Sequence, residues 1–525
     1  MPTTDLLVIA AYMALTLGVG LWMAQRARSA EDYFLGARNL PAPLVLLSIV
    51  ATETSALTVI SVPGIAARGD FTFLQLAFGY LIGRMAVAWW LLPGYFRGTQ
   101  STAYQRLGER FGPGTRQAMS GVFLATRFLA DGVRIFAGAI PLAVLTGWEV
   151  GTAILVMGGV TLAYTFVGGL KAVVWADALQ MLVYVAGGLL ALGIALHMAG
   201  GPATAWDAAA AAGKLRVLDL QWSWSAPYTL AAGLVGGALL SAASHGTDHI
   251  IVQRLLATRS LRAARWALVG SGVVVIAQFA LFLALGTALW AAGQAPADLP
   301  GDQLFPRFIV QHLPVGLAGL MMAGILAAAM STISSSISAL ASSVTHDLVA
   351  PWHERRHGRA ADGAWLLRVG RGVSLAWGLA LTGAALGFHA MAAGRDTPVV
   401  VLALSIASVT YGALLGTVVL AALPPRLGLR GSQAVTGAAG ALLLMALVVF
   451  AGRLSAWPPV EPLQPVLQAL SGLAFPWFVP LGTVLTLTLA LLVRAFGVRP
   501  WARPPDPQGP APAPRPSRSR PPRRS

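Results

Sequence analysis

The sequence predicts an all-α polytopic membrane protein of about thirteen transmembrane helices, and three observations carry the prediction. Only 11% of the 525 residues are charged while 56% are apolar, where soluble domains carry about a quarter charged. Mean hydropathy is +0.70. Separated apolar runs of 20 or more residues recur along the chain, each long enough for a hydrocarbon core of about 30 Å. No water reaches that depth, so each run must satisfy its own backbone hydrogen bonds, as a helix does.

The spans fall near 4–23, 43–66, 71–96, 117–147, 150–167, 171–199, 226–250, 262–292, 313–347, 367–390, 396–422, 433–452 and 474–496. The first is not a cleavable signal: Asp5 precedes its apolar run and the basic Arg26 and Arg28 follow it, the reverse of a signal peptide. The second contains "SIVATETSALT" (48–58), with Glu53 ringed by Ser48, Thr52, Thr54, Ser55 and Thr58. An ionisable group at mid-bilayer costs on the order of 3 kcal/mol or more unless it faces protein or water, so such groups mark pathways. Glu53 either pairs with a span arginine or touches a solute.

The third span carries Arg84, and the fourth carries Arg127, Asp131 and Arg134. Their i, i+4, i+7 spacing places the trio on one face, where Asp131 can pair with either arginine. One guanidinium is then left over, and its planar fork suits a carboxylate. Internal pairing that only fixes helix packing is the alternative for Arg127 and Arg84. Asp177 sits near the inner end of the sixth span. The seventh span reads "SAASHGTDHIIVQR" (241–254) and is expected to break at Gly246. His245 and His249 lack an HExxH base and a third ligand, which argues against zinc. A broken span is a pointer to a transport site. "LLSIVATETSA" (46–56) and "LLSAASHGTDH" (239–249) echo each other five spans apart, so the two copies enter the membrane from opposite sides. In the ninth span Ser331, Ser334, Ser335, Ser338, Ser342 and Thr345 form one hydroxyl stripe, suited to close helix packing and to a hard cation alike.

Charge sets the orientation, because Lys and Arg collect in cytoplasmic loops. With the N-terminus outside, inner segments hold 27 of the 36 basic residues, outer loops six, and Arg84, Arg127 and Arg134 lie inside spans. The net charge of +16 therefore follows the inner face rather than a nucleic-acid-binding patch. The 27-residue tail 499–525 has ten prolines and no apolar period. It is expected to be disordered and to lie against anionic lipid on the cytoplasmic side. The chain has no cysteine, so neither disulfides nor cysteine-held metal arise.

Several segments in order, "EDYFLGARNLP" (31–41), "GGLKAVVWADALQ" (168–180), "VQRLLATRS" (252–260), "LPVGLAGLMMAGILAAAMSTISSS" (313–336) and "THDL" (345–348), resemble the sodium:solute symporters. That family includes the bacterial proline, sugar and sialic-acid carriers. The resemblance covers the chain to about 495 and implies a LeuT-like core of two inverted five-helix repeats, 43–199 and 226–422, within a transporter domain of 1–498. It also implies a sodium site built from the backbone carbonyls of Ala51, Thr54 and Ala328 and the hydroxyls of Ser331 and Thr332. A second sodium site maps to Asp177, Ser331, Ser334 and Ser335, where the serines serve equally as packing residues.

For the solute, Thr58 stands where sugar carriers of the family place a larger amide, which argues against hexose. The proline carriers have an acidic residue aligned with Glu53, and the sialic-acid carriers offer an arginine from the helix of Arg134. The expected pocket is Glu53, Thr58, Arg134, Ser241, Ser244 and His245, and the expected solute a small organic acid or amino acid. The chain is thus read as a sodium-driven symporter of the cell (inner) membrane, monomeric, with solute, sodium and lipid as its partners. A transporter-like sensor or a proton-coupled carrier stays open as the alternative. An enzyme is disfavoured, since no serine nucleophile motif, HExxH or phosphate loop is present.

Overall fold

Helices follow from the apolar runs, and their ends follow from proline, glycine and buried charge. The computed structural model describes residues 2–24, 29–54, 56–98, 100–392, 399–455 and 462–496. Arg26, Arg28, Ser55, Arg395 and the tail 499–525 lie outside them. In chain order the helices that matter here are α1 (Thr3–Ala24), α2 (Ala42–Glu53), α3 (Ala56–Arg68), α4 (Leu74–Ala86), α5 (Pro113–Thr146), α6 (Val150–Met198), α7 (Ala238–Gly246), α8 (His249–Leu256), α9 (Leu261–Ala291), α10 (Gly301–His312), α11 (Leu317–Ser343), α12 (Gly363–Ala392), α13 (Val399–Ala422), α14 (Gly431–Leu454) and α15 (Phe478–Ala495).

Each of the thirteen expected spans is mostly helical over its described residues, the exceptions lying at span ends and at the interruptions around Thr54 and Thr247–Asp248. Seven helices among those residues are long and apolar enough to cross a bilayer by themselves, or eight with α2 and α3 taken as one bent span. The difference has physical causes. The 49-residue α6 holds two spans, turned at Gly169, where φ is +57°. A Cβ there would lie 2.5 Å from the Tyr33 carbonyl oxygen, so the reversal requires glycine. Helix α5 carries Arg127, Asp131 and Arg134, and α7 and α8 are two arms of one interrupted span.

The centre of the bundle is α11. In the apolar window of the segment Leu317–His357, 89% of residues are buried, against 22% for Gly363–Met391. Small side chains let its neighbours approach closely. The same device brings α4 against α7, where a Cβ on Gly83 would lie 2.9 Å from Ser241 Cβ. The N-terminal end of α11 is tied to α1: buried Asp5 accepts the backbone N–H groups of Gly316 (2.6 Å) and Gly319 (2.8 Å) through Oδ1. A carboxylate there satisfies first-turn donors that have no intrahelical partner. Asp5→Ala is expected to cost about 1 kcal/mol of stability and Asp5→Asn less, read as thermal unfolding in detergent.

One expectation is corrected. Arg254, counted with the basic residues of the inner loops, is wholly buried in α8. It lies six residues past the break at Asp248, about 9 Å at 1.5 Å per residue, which is short of the half-thickness of a hydrocarbon core. The basic asymmetry then stands at 26 against six.

Candidate functional site

Two interrupted helices meet the hydroxyl face of α11 at the middle of the bundle. Helix α2 stops at Glu53, Thr54 turns extended (φ −81°, ψ 98°), and the α3 arm departs at 66°. The Thr54 N–H still bonds the Val50 carbonyl (3.0 Å), and the α-helix of α2 ends there. Thr54 is buried, and its Oγ1 accepts a hydrogen bond from Gln278 Nε2 on α9 (2.8 Å). Gln278 Oε1 is held in turn by Tyr184 OH on α6 (3.1 Å). Opposite, Thr52 Oγ1 lies 3.4 Å from Ser335 Oγ, so the break and the stripe are in contact. Thr332 Oγ1 donates to Ala328 O (3.3 Å), which sets these two expected ligands side by side one turn apart. Ser331 is wholly buried and donates to Asp177 Oδ1 (2.7 Å).

Of the second expected group, Asp177 bonds Ser331 directly and meets Ser335 through Arg254. Its Oδ2 accepts from Ser48 Oγ (2.6 Å) and Thr52 Oγ1 (3.4 Å), while Ser334 turns to the Ser331 carbonyl instead (3.1 Å). The buried Arg254 guanidinium lies among them: Nη2 donates to Asp177 Oδ2 (2.9 Å) and Ser335 Oγ (2.6 Å), and Nε to Ser48 Oγ (2.8 Å).

The solute-side residues divide. Glu53 is ion-paired with Arg84, whose Nη1 donates to Ser271 Oγ on α9 (3.0 Å). Of the two roles open for Glu53, the pairing is thus present, and 19% of its side chain is still exposed. His245 Nε2 is 3.7 Å from Glu53 Oε2. The His245 ring nitrogen Nδ1 meets the Ser241 carbonyl (3.1 Å) and Ser244 Oγ (2.8 Å). The other ring nitrogen, Nε2, faces the Glu53 carboxylate. Ser241 is committed elsewhere, donating to Tyr80 O (2.9 Å). Thr58 is half-buried on the first turn of α3.

On α5 the trio separates as its spacing suggests. Arg127 Nε donates to Asp248 Oδ2 (3.0 Å), its Nη1 to Asp131 Oδ1 (3.2 Å) and its Nη2 to Tyr411 OH (2.7 Å). Asp248 is also the N-cap of α8, accepting from Ile250 N (2.9 Å), and takes a bond from Tyr411 OH (2.9 Å). Asp131 accepts from Ser336 Oγ (2.6 Å). Arg134 reaches Asp131 at only 3.5 Å and leaves 24% of its side chain exposed, so it is the less engaged guanidinium. The lower stripe faces α8: Ser338 accepts from Gln253 Nε2 (3.3 Å), and Ser342 Oγ lies 3.1 Å from His249 Nε2. His245 and His249 thus serve different neighbours.

Sequence reasoning missed Arg254, Gln278 and Tyr411. For Arg254 the signal was its distance from the helix break. Neither of the others stands out by charge or motif.

The model of the sodium:solute symporter family matches residues 33–437. The chain is 30% identical over 480 residues to the sodium/iodide cotransporter of Homo sapiens, covering 88% of this chain and 72% of that one. It is 30% identical over 446 residues to sodium-coupled monocarboxylate transporter 2 of Danio rerio, covering 82% and 69%. It is 27% identical over 386 residues to the sodium/sialic acid symporter NanT of Aliivibrio fischeri, covering 72% and 75%. Among solved structures, a substrate-bound, outward-open sodium-coupled sialic acid symporter superposes with a TM-score of 0.80 at 23% identity, over 94% of this chain and 98% of that one. The fold is LeuT-like, and broken helices beside a small-residue helix are what such a core requires. The chain belongs to the sodium:solute symporter family, multi-pass membrane transporters that couple the movement of a solute to sodium and are not enzymes.

Proposed function

We propose that this symporter imports a small organic acid, an amino acid included, with sodium bound by the carbonyls of Ala51, Thr54 and Ala328 and the hydroxyls of Ser331 and Thr332. The observation that supports it most is the contact of the α2–α3 break with the hydroxyl face of α11, Thr52 against Ser335. Carbonyl and hydroxyl oxygens are hard donors, which a small alkali cation prefers. The pocket for solute is bounded by Glu53, Thr58, Arg134, Ser244 and His245, with Ser241 holding α7 against α4. The relatives named for iodide, monocarboxylate and sialic acid all carry anions or acids, and Arg134 is the guanidinium best placed to receive a carboxylate.

Coupling follows from linkage. Sodium that joins α2 and α11 in the outward-open state raises the population able to take solute, and solute must tighten sodium by the same factor. Exposure of the midplane site alternates between faces, and the membrane potential contributes about 2.3 kcal/mol per charge per 100 mV. The N-terminus is outside and the C-terminus cytoplasmic, the repeats being 43–199 and 226–422.

A panel of solutes tested by thermal shift with and without sodium is expected to yield one acid that stabilises only when sodium is present; an acid that stabilises equally without sodium counts against coupling at this site. Arg134→Lys removes the bidentate fork and is expected to raise the solute KM roughly 10- to 100-fold, the equivalent of about 1.5–3 kcal/mol for a charged hydrogen bond. Sodium-induced stabilisation without solute stays as in the wild type. Counterflow of labelled solute in sealed vesicles separates a carrier from a sensor.

A further inference from the structure

We propose that Arg254 is a tethered cation resident in the Asp177 site, so that sodium enters there only when the guanidinium withdraws, and that the chain with Arg254 in place holds one sodium, at the α2–α11 site. The inference rests on the sodium reading above and concerns the second group of oxygens.

The site is already filled and balanced. Asp177 and Arg254 are both wholly buried and 2.9 Å apart. Both carboxylate oxygens are engaged, Oδ1 by Ser331 and Oδ2 by Ser48, Thr52 and Arg254. Ser335 Oγ and Ser48 Oγ spend acceptor capacity on the guanidinium, and those lone pairs are what a sodium ion would need. One carboxylate opposite one guanidinium sums to zero charge. A sodium ion added beside them would leave a buried net positive charge without a partner, which is strongly unfavourable. Exchange, by contrast, conserves the balance.

The arm that carries the cation is short and sits at a break. Arg254 lies in α8 (His249–Leu256), which is separated from α7 by Thr247 and Asp248. Its Nη1 also donates to Ile250 O (2.8 Å), so the side chain is folded back along its own helix. A movement of α8 relative to α2, α6 and α11 therefore withdraws the guanidinium as a unit. This makes Arg254 the element through which the inner arm of the seventh span senses, and competes for, cation at Asp177.

The test uses the full chain reconstituted in lipid. Equilibrium binding of radiolabelled sodium to the wild type is expected to saturate at one ion per chain, with a Hill coefficient near one. Arg254→Gln removes the competitor and is expected to bind a second ion, the Hill coefficient rising towards two. Asp177→Asn added to Arg254→Gln returns it to one. Arg254→Lys keeps a cation in place and stays at one. Saturation of the wild type at two ions overturns the proposal, as does an Arg254→Gln protein that still binds one. If Arg254→Gln is too unstable to titrate, its melting in membranes decides: sodium is expected to raise it more than it raises the wild type, and an equal or smaller rise overturns the proposal. Thr332→Val separates the two readings. Sodium binding unchanged by Thr332→Val removes the first site, whereas two ions on the wild type with sensitivity to Thr332 removes only the competition.

Discussion

Arg127→Ala is expected to destabilise the protein by about 3–5 kcal/mol, the scale of a buried ion pair from which one partner is removed. Folded domains have only about 5–15 kcal/mol in hand, so most of the protein should be lost from the membrane. The reason lies in what Arg127 leaves behind. Asp248 and Asp131 are both wholly buried, and Arg127 donates to each. Without it Asp248 keeps Tyr411 OH and the Ile250 N–H, which hydrogen-bond the carboxylate but do not neutralise it. Replacing a whole buried pair by apolar side chains is often close to neutral, so Arg127→Met with Asp248→Leu should recover much of the loss. Asp131 then still has Ser336 and Arg134. Yield of folded protein in detergent and its melting temperature report both. An Arg127→Ala protein that melts like the wild type, or a double variant no better than the single, would show that the cluster is not a mutually dependent unit.

How much of this was readable beforehand depends on whether a feature is local. The spans and the break expected at Gly246 are set by hydropathy and by residues a few positions apart, and the helices and the interruption at Thr247 and Asp248 lie close to those positions, whereas the break in "SIVATETSALT" is implied only by the family resemblance. The i, i+4, i+7 trio also resolves as its spacing implies, with Arg134 the weakly engaged member. What stayed hidden are partnerships across the bundle. Glu53 with Arg84, Arg254 with Asp177, and Thr54 with Gln278 join residues 31, 77 and 224 positions apart. No periodicity encodes such pairs. Arg254 was misplaced for a further reason: a basic residue just past an apolar run looks the same to a charge count whether it reaches headgroups or folds back onto a buried aspartate.

The largest functional effect is expected from Ser331→Ala combined with Thr332→Val, which should shift half-maximal sodium activation of uptake upward by well over tenfold. Each lost ligand hydroxyl to a charged group corresponds to about 1.5–3 kcal/mol, and 1.4 kcal/mol is roughly a factor of ten. The two residues do not contribute alike. Among the described residues Thr332 Oγ1 bonds locally, to Ala328 O, so Thr332→Val keeps shape and removes one oxygen from the ion. Ser331 Oγ also donates to Asp177 Oδ1, so Ser331→Ala takes a donor from a buried carboxylate as well and should cost stability that Thr332→Val does not. The single Thr332→Val is therefore the cleaner probe of the ion, and its solute KM at saturating sodium should match the wild type, because no expected solute contact is touched. Uptake measured over a sodium series, with folded yield in parallel, distinguishes these effects. Sodium activation unchanged in the double variant would remove α11 from the ion site and leave its hydroxyl stripe as packing alone.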